Sequence, residues 1–180
     1  MKELALHILD IAQNSITANA TLIEIEIIED TSKNRLTITI KDNGCGMSEE
    51  FLKKVADPFV TTRTTRKVGL GIPLLKAAAE GCNGSFFINS QLGIGTTLTV
   101  SFERNNIDRA PIGDMAATMV TLINAKNDID FIYRHIIDER EFLLDTRKIR
   151  EILGERVPLG ELTVLEWIKG YIADGLKEIK

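Results

Sequence analysis

The stretch "TITIKDNGCGM", residues 37–47, decides the fold. Its first half alternates. Leu36, Ile38 and Ile40 fall on one face of an extended chain, and Thr37, Thr39 and Lys41 fall on the other. Asp42 and Asn43 then open a turn, and Gly44 and Gly46 bracket Cys45. A hairpin needs only one such turn signal. Here a carboxylate, an amide and two glycines crowd together, so either the loop is simply tight or its backbone must let something come close.

Working outward, "TLIEIEIIE" (residues 21–29) is a second period-two strand, with Ile23, Ile25 and Ile27 on its core face. "DTSKN" is a turn, and the two strands pair as a hairpin. Residues 2–18 read as a helix, with a polar stripe through His7, Asp10 and Asn14. "SEEFLKKVAD" (48–57) is a short helix with Ser48 at its N-cap. Residues 61–67 are a basic, threonine-rich loop. Residues 71–81 form a small-residue helix with Pro73 in its first turn, where proline is tolerated. Strands at 85–90 and 96–103 make a second hairpin through "QLGIG". The stretch 105–113 breaks the pattern and is a linker. Beyond it come a helix (114–125), a hairpin ("DIDFIYRHIID" against "EFLLDT") and two helices, 146–153 and 161–179. The expected division is an α+β unit over 1–104, the linker 105–113, and a small helix-hairpin-helix-helix unit over 114–180. The core of that last unit includes Phe131, Tyr133, Leu144 and Trp167, with Tyr171 on the same helix face as Trp167.

The 180 residues are 44% hydrophobic and 27% charged, the signature of a globular chain. A net charge of −4 argues against a general nucleic-acid or anionic-membrane binder. No apolar run is long enough to span a bilayer. Cys45 and Cys82 make no disulfide framework, and His7 and His135, the two histidines, do not cluster with them as metal ligands. The expected location is the cytoplasm, with both thiols reduced.

Four short patterns carry chemistry. Asp10 and Asn14, four apart, project from one helix face, and their oxygens suit a hard cation or an activated water. Asp42, at a strand end, can accept from an exocyclic amine, while Gly44 and Gly46 admit a flat ring. Gly69 and Gly71 run into a helix start, where free N–H groups favour phosphate. "GIGTTLTV" (93–100) leads from a glycine-rich turn into a strand. Arg63, Arg66 and Lys67 add cations that can meet phosphates. Each pattern alone also has a plain structural reading as a turn, a solvated face or a mobile loop.

Their order is more specific than any of them. "HILDIAQNSITANA" resembles the N box of the GHKL superfamily of ATP-binding domains, "DNGCGM" its G1 box and "DPFVTTR" the F box of its histidine kinases. "VGLGIPLL" resembles the G2 box and "GIGTTLTV" the closing G3 segment. The resemblance covers residues 1–103. It implies a two-layer α/β sandwich, a mostly antiparallel mixed sheet under helices, with ATP and Mg²⁺ as cofactors. On that resemblance Asn14 holds the Mg²⁺ and Asp42 takes the adenine amino group. Gly44 and Gly46 shape the adenine pocket, and Thr97 backs it. Phe59 anchors the lid, Gly69 and Gly71 hinge it, and Arg63, Arg66 and Lys67 are its phosphate contacts.

Two departures narrow the expectation. ATPases of the superfamily place a glutamate base four residues before the asparagine, and this chain has Asp10 there. Its carboxylate falls roughly 1.5 Å short, one carbon–carbon bond, a displacement of the size that can cost about 10²-fold. Histidine kinases often lack that glutamate, because their acceptor imidazole, neutral, is already a nucleophile and needs no strong base. The sequence opens on the N-box helix, so the acceptor histidine is expected elsewhere; His7 lies inside the N box, and His135 reads as a bland strand residue, packed or solvated. The expected function is therefore phosphoryl transfer to an acceptor on another chain, or slow ATP hydrolysis. The alternatives are a non-catalytic ATP-dependent switch and, less favoured, a gyrase- or MutL-like DNA-linked ATPase. A protein partner is expected, and a homodimer is compatible with the same resemblance.

Overall fold

The computed structural model describes residues 2–57 and 70–180. In chain order its elements are α1 (Leu4–Thr17), β1 (Leu22–Asp30), β2 (Arg35–Asp42), α2 (Glu49–Lys54), α3 (Gly71–Glu80), β3 (Ser85–Gln91) and β4 (Gly95–Glu103). There follow α4 (Met115–Ala125), β5 (Asp130–Ile137), β6 (Arg140–Asp145), α5 (Thr146–Leu153) and α6 (Leu162–Ile179). The strands form one sheet in the order β3-β4-β2-β1-β5-β6. Every pairing is antiparallel except β1 with β5.

Alternation on the strands produces the core directly. In the register, Tyr133 faces Ile25, Ile25 faces Ile40, Ile40 faces Leu98, and Leu98 faces Ile88. One row of apolar side chains thus crosses five strands. Ile25, Ile40, Leu98 and Tyr133 are all buried, and Ile88 packs partly buried at the end of the row. Full burial of each such isoleucine or leucine contributes about 1.5–3 kcal/mol. The helices cover this face: α1 buries Leu4, Ala5, Ile8, Ile11 and Ala12, spaced as one helical stripe. The opposite face, with Glu24, Glu26, Thr39 and Lys41, carries the polar half of the alternation and is tied by Lys41–Glu24 and Arg134–Glu26 ion pairs.

The parallel pairing of β5 with β1 carries the sheet past residue 104, and Met115, Met119, Leu122 and Phe131 belong to the same buried cluster as Leu4 and Ile8. The stretch 105–113 lies against the start of α1. Leu4 N–H donates to the Pro111 carbonyl at 2.9 Å and Ala5 N–H to the Ile112 carbonyl at 2.8 Å. Glu3 provides no side-chain cap, so these two carbonyls take the free donors of the first turn.

The sequence placed Trp167 and Tyr171 in the core, and the structure corrects this: they are 56% and 43% exposed. Helix α6 has two regular stripes. Val164, Leu165, Ile168 and Ile172 form the one that meets the sheet, and Trp167 and Tyr171, each one position earlier, face outward. On β6, alternation turns Phe142 and Leu144 inward and leaves Leu143 at the surface.

Candidate nucleotide site

Asp42 ends β2 beside the inner face of α1. Its Oδ2 accepts from Ser15 Oγ at 2.6 Å and its Oδ1 from Gly44 N–H at 2.9 Å. Ser15 is buried because it continues the α1 stripe of Ile8, Ile11 and Ala12. The carboxylate is held at both oxygens by short donors, yet each oxygen keeps a further lone pair. It lines a cavity of about 290 Å³, near the lower end of the range of roughly 300–1,000 Å³ common for small-molecule sites.

The cavity is apolar on its flat sides and polar at one edge. Ile40, Ile88 and Leu98 of the sheet form the floor, and Met47, Phe51 and Val55 come from the segment around α2. Asp42, Ser15, Asn14 and Thr96 supply the polar atoms. A planar, amine-bearing base fits this distribution: apolar walls for its faces and a fixed carboxylate for its amino edge.

The glycines of the loop have a definite cause. Gly46 has φ of +70°, and a Cβ there would overlap the Gln91 carbonyl. A Cβ on Gly44 would stand 2.8 Å from the Ala18 carbonyl and 3.1 Å from Asp42 Oδ1. Both glycines therefore let the loop pack against the end of α1 and the β3–β4 hairpin. The same contacts include Cys45 N–H to the Ala18 carbonyl (2.8 Å) and Gly93 N–H to the Cys45 carbonyl (2.6 Å). Asn43 fastens the loop from the other side: its Oδ1 accepts from Thr21 and Leu22 N–H at 2.8 and 3.0 Å. The tightness that the sequence suggested is backbone packing, and it holds Gly46 at the cavity wall.

Asn14 reaches the cavity edge, whereas Asp10, one turn earlier, stands beyond its lining and against Gly71, whose Cβ would lie 3.3 Å from that of Asp10. Neither the Asn14 amide nor the Asp10 carboxylate has a hydrogen-bond or ion-pair partner among the described residues. Gly71 starts α3, and its N-cap, Leu70, offers no side-chain cap, nor does any other described residue. Two unengaged oxygen-bearing side chains and an uncapped helix start thus lie together beside the cavity, a setting suited to an anion with its cation.

Thr97, expected to back the pocket, does not line it. Period-two alternation on β4 turns Thr97 to the face opposite Leu98 and brings Thr96 into the wall, paired in register with Asp42. Thr96 Oγ1 lies 2.8 Å from Ser90 Oγ, which accepts from Met47 N–H at 2.8 Å. Ser15 was not read as a site residue; its inward spacing on α1 was the available signal. Phe59, Arg63, Arg66, Lys67 and Gly69 lie outside the described residues.

Both histidines are packed away. His135 is 2% exposed, with Nε2 at 2.9 Å from Glu29 Oε1 and Nδ1 at 3.0 Å from the Tyr133 hydroxyl. His7 is 4% exposed, its Nδ1 has no partner among the described residues, and burial pushes its pKa below the ordinary value. Among the described residues no three His, Cys, Asp or Glu side chains cluster as a metal site, and no helix is long and apolar enough to cross a membrane.

Comparison with known proteins agrees with this geometry. Residues 2–106 match the family of histidine kinase-, DNA gyrase B- and HSP90-like ATPases, and the chain belongs to that family. ATP binding of the histidine-kinase type is what membership implies. The chain is 32% identical over 95 residues to the sensor histidine kinase YvrG of Bacillus subtilis, covering 51% of this chain and 16% of that one. It is 36% identical over 84 residues to the sensor protein kinase WalK of Staphylococcus aureus, covering 44% and 20%. It thus spans a fifth or less of these relatives. The Aquifex aeolicus MutL ATPase domain complexed with ADP has the same fold, with a TM-score of 0.54 at 16% identity, covering 85% of this chain and 69% of that one.

Proposed function

We propose that the chain binds Mg·ATP in the Asp42 cavity and serves phosphoryl transfer to an acceptor on another chain, with slow hydrolysis in the acceptor's absence. The observation that carries the reading is the contrast between two sets of side chains. Asp10, beside Gly71, and Asn14, at the cavity edge, have side chains unengaged among the described residues, whereas His7 and His135 are buried. The site is therefore open to a phosphate chain, and neither histidine of this sequence is accessible as its acceptor.

The residues divide the work. Asp42, oriented by Ser15 and Gly44, accepts from the adenine amino group; a guanine would present a carbonyl to the same carboxylate, so the site favours ATP over GTP. Ile40, Leu98 and Met47 exclude water from the ring faces. Asn14 and the first turn of α3 receive the phosphates. Mg²⁺, held mainly by those phosphates with Asn14 as one oxygen ligand, would neutralise phosphate charge during transfer. Asp10 is set to orient a water or an incoming acceptor beside Gly71, from a shorter arm than a glutamate.

The test is incubation with ATP labelled on its γ-phosphate, following both phosphate release and label on protein. Slow release that falls further in Asp10→Asn, and no label on the chain itself, is the expected result. Stable label on His7 or His135, or rapid turnover unaffected by Asp10→Asn, would overturn the reading. Because Asp10 stands where ATPases carry glutamate, a purely binding switch is the second reading, and it requires no release at all from an ATP-saturated chain.

A further inference from the structure

Helix α6 and strand β6 enclose a groove of about 530 Å³ on the far side of the molecule's sheet order from the β3–β4 hairpin. Its most prominent wall is an aromatic pair. Trp167 and Tyr171 stack with centroids 5.2 Å apart and planes 9° from parallel. Tyr171 is anchored from below, its hydroxyl donating to the Leu143 carbonyl at 3.2 Å and its ring 5.3 Å from Phe142. The platform faces solvent, and only its Tyr171 half contributes to holding α6 against β6.

The floor holds a second oddity. Gly170 lies in the middle of α6, where glycine weakens a helix. Nothing among the described residues requires it, since a Cβ there would meet none of their atoms within 4 Å. Gly175, five residues on, is different: a Cβ would strike the Phe142 ring. The space left at Gly170 opens the groove between the aromatic pair and Asp174. Around it stand Glu166, Asp174 and Glu178, none of which has an ion-pair or hydrogen-bond partner among the described residues.

We propose that this groove docks an arginine-bearing segment of a partner protein. A guanidinium stacks on an indole or phenol face and pairs in a fork with carboxylates, which are the two features that this groove offers together. The missing side chain at Gly170 gives it room to lie flat. The surface is separate from the nucleotide cavity, so the proposal stands or falls independently of ATP binding.

The test uses the full chain, whose one tryptophan is Trp167, and the peptide acetyl-Gly-Arg-Gly-Arg-Gly-amide with its citrulline counterpart, which has the same shape without charge. The expected result is saturable quenching of Trp167 fluorescence by the arginine peptide, at least about tenfold weaker with citrulline. Binding is lost in Gly170→Leu, which fills the groove, while melting temperature does not fall, because leucine is a better helix former than glycine. The triple change Glu166→Gln, Asp174→Asn, Glu178→Gln weakens the arginine peptide and leaves the citrulline response unchanged. Equal response to the two peptides, persistence of binding in Gly170→Leu, or no saturation up to about 10 mM would overturn the proposal. So would concentration-dependent self-association of the chain abolished by Gly170→Leu, which would assign the groove to a second copy.

Discussion

His135 and Glu29 meet across the parallel β5–β1 pairing, Nε2 to Oε1, at 2.9 Å, and Arg104 Nε reaches the other carboxylate oxygen at 3.1 Å. The residue that follows β4 and a strand beyond residue 113 therefore converge on one buried carboxylate. With Arg104 still on Oε2, removing His135 leaves the other buried carboxylate oxygen without its donor and costs about 1–3 kcal/mol. His135→Phe keeps the ring bulk and should lower stability by about that amount, read from the denaturant midpoint at neutral pH.

The same cluster sets an acid limit. The His135 hydrogen bond, with further help from Arg104, holds the Glu29 pKa below the usual carboxylate value despite burial. A depressed folded-state pKa contributes stability that is present above the unfolded value and is lost as pH falls through the folded one. Unfolding free energy should therefore decline from about pH 5 downward, and Glu29→Gln should flatten that decline while lowering stability at pH 7. A decline of equal slope in Glu29→Gln would assign the acid sensitivity elsewhere.

Thr96 and Thr97 make a sharp contrast. Thr96→Val removes a hydroxyl from the cavity wall and from the Ser90 contact, and should weaken ATP binding by about 3- to 10-fold, the range of one neutral hydrogen bond. Thr97→Val, on the other sheet face, should leave the ATP affinity unchanged. Calorimetric titration of the two variants checks the assignment of faces.

Gly46→Ala tests the backbone cause of the loop's glycines. The substitution combines a positive φ with overlap of the Gln91 carbonyl, each of which costs about 1–3 kcal/mol. A loss of melting temperature without nucleotide present is expected. An unchanged melting temperature with weakened ATP binding would mean that the glycine serves the ligand alone.

Much of the fold was legible because alternation and helical spacing are local. Ile23, Ile25, Ile27, Leu36, Ile38 and Ile40 fell on the core face by parity, and α5 began and ended where read, at Thr146 and Leu153. The misreadings have specific causes. Thr96 and Thr97 are chemically identical neighbours, so only the strand's parity with Leu98 separates them. Ser15 joins the site through Asp42, 27 residues away, a relation no local pattern contains. Trp167 lies on one of two equally regular stripes of α6, and tertiary packing selected the other.

The most direct measurement of the central claim is calorimetric titration of Mg·ATP and Mg·GTP into the wild-type chain and Asp42→Asn. Loss of a charge-assisted hydrogen bond is worth about 1.5–3 kcal/mol, so Asp42→Asn should bind ATP about 10- to 100-fold more weakly, and the wild type should prefer ATP to GTP. Equal binding of the two nucleotides, or an ATP affinity unchanged in Asp42→Asn, would contradict the assignment of this cavity as the adenine site.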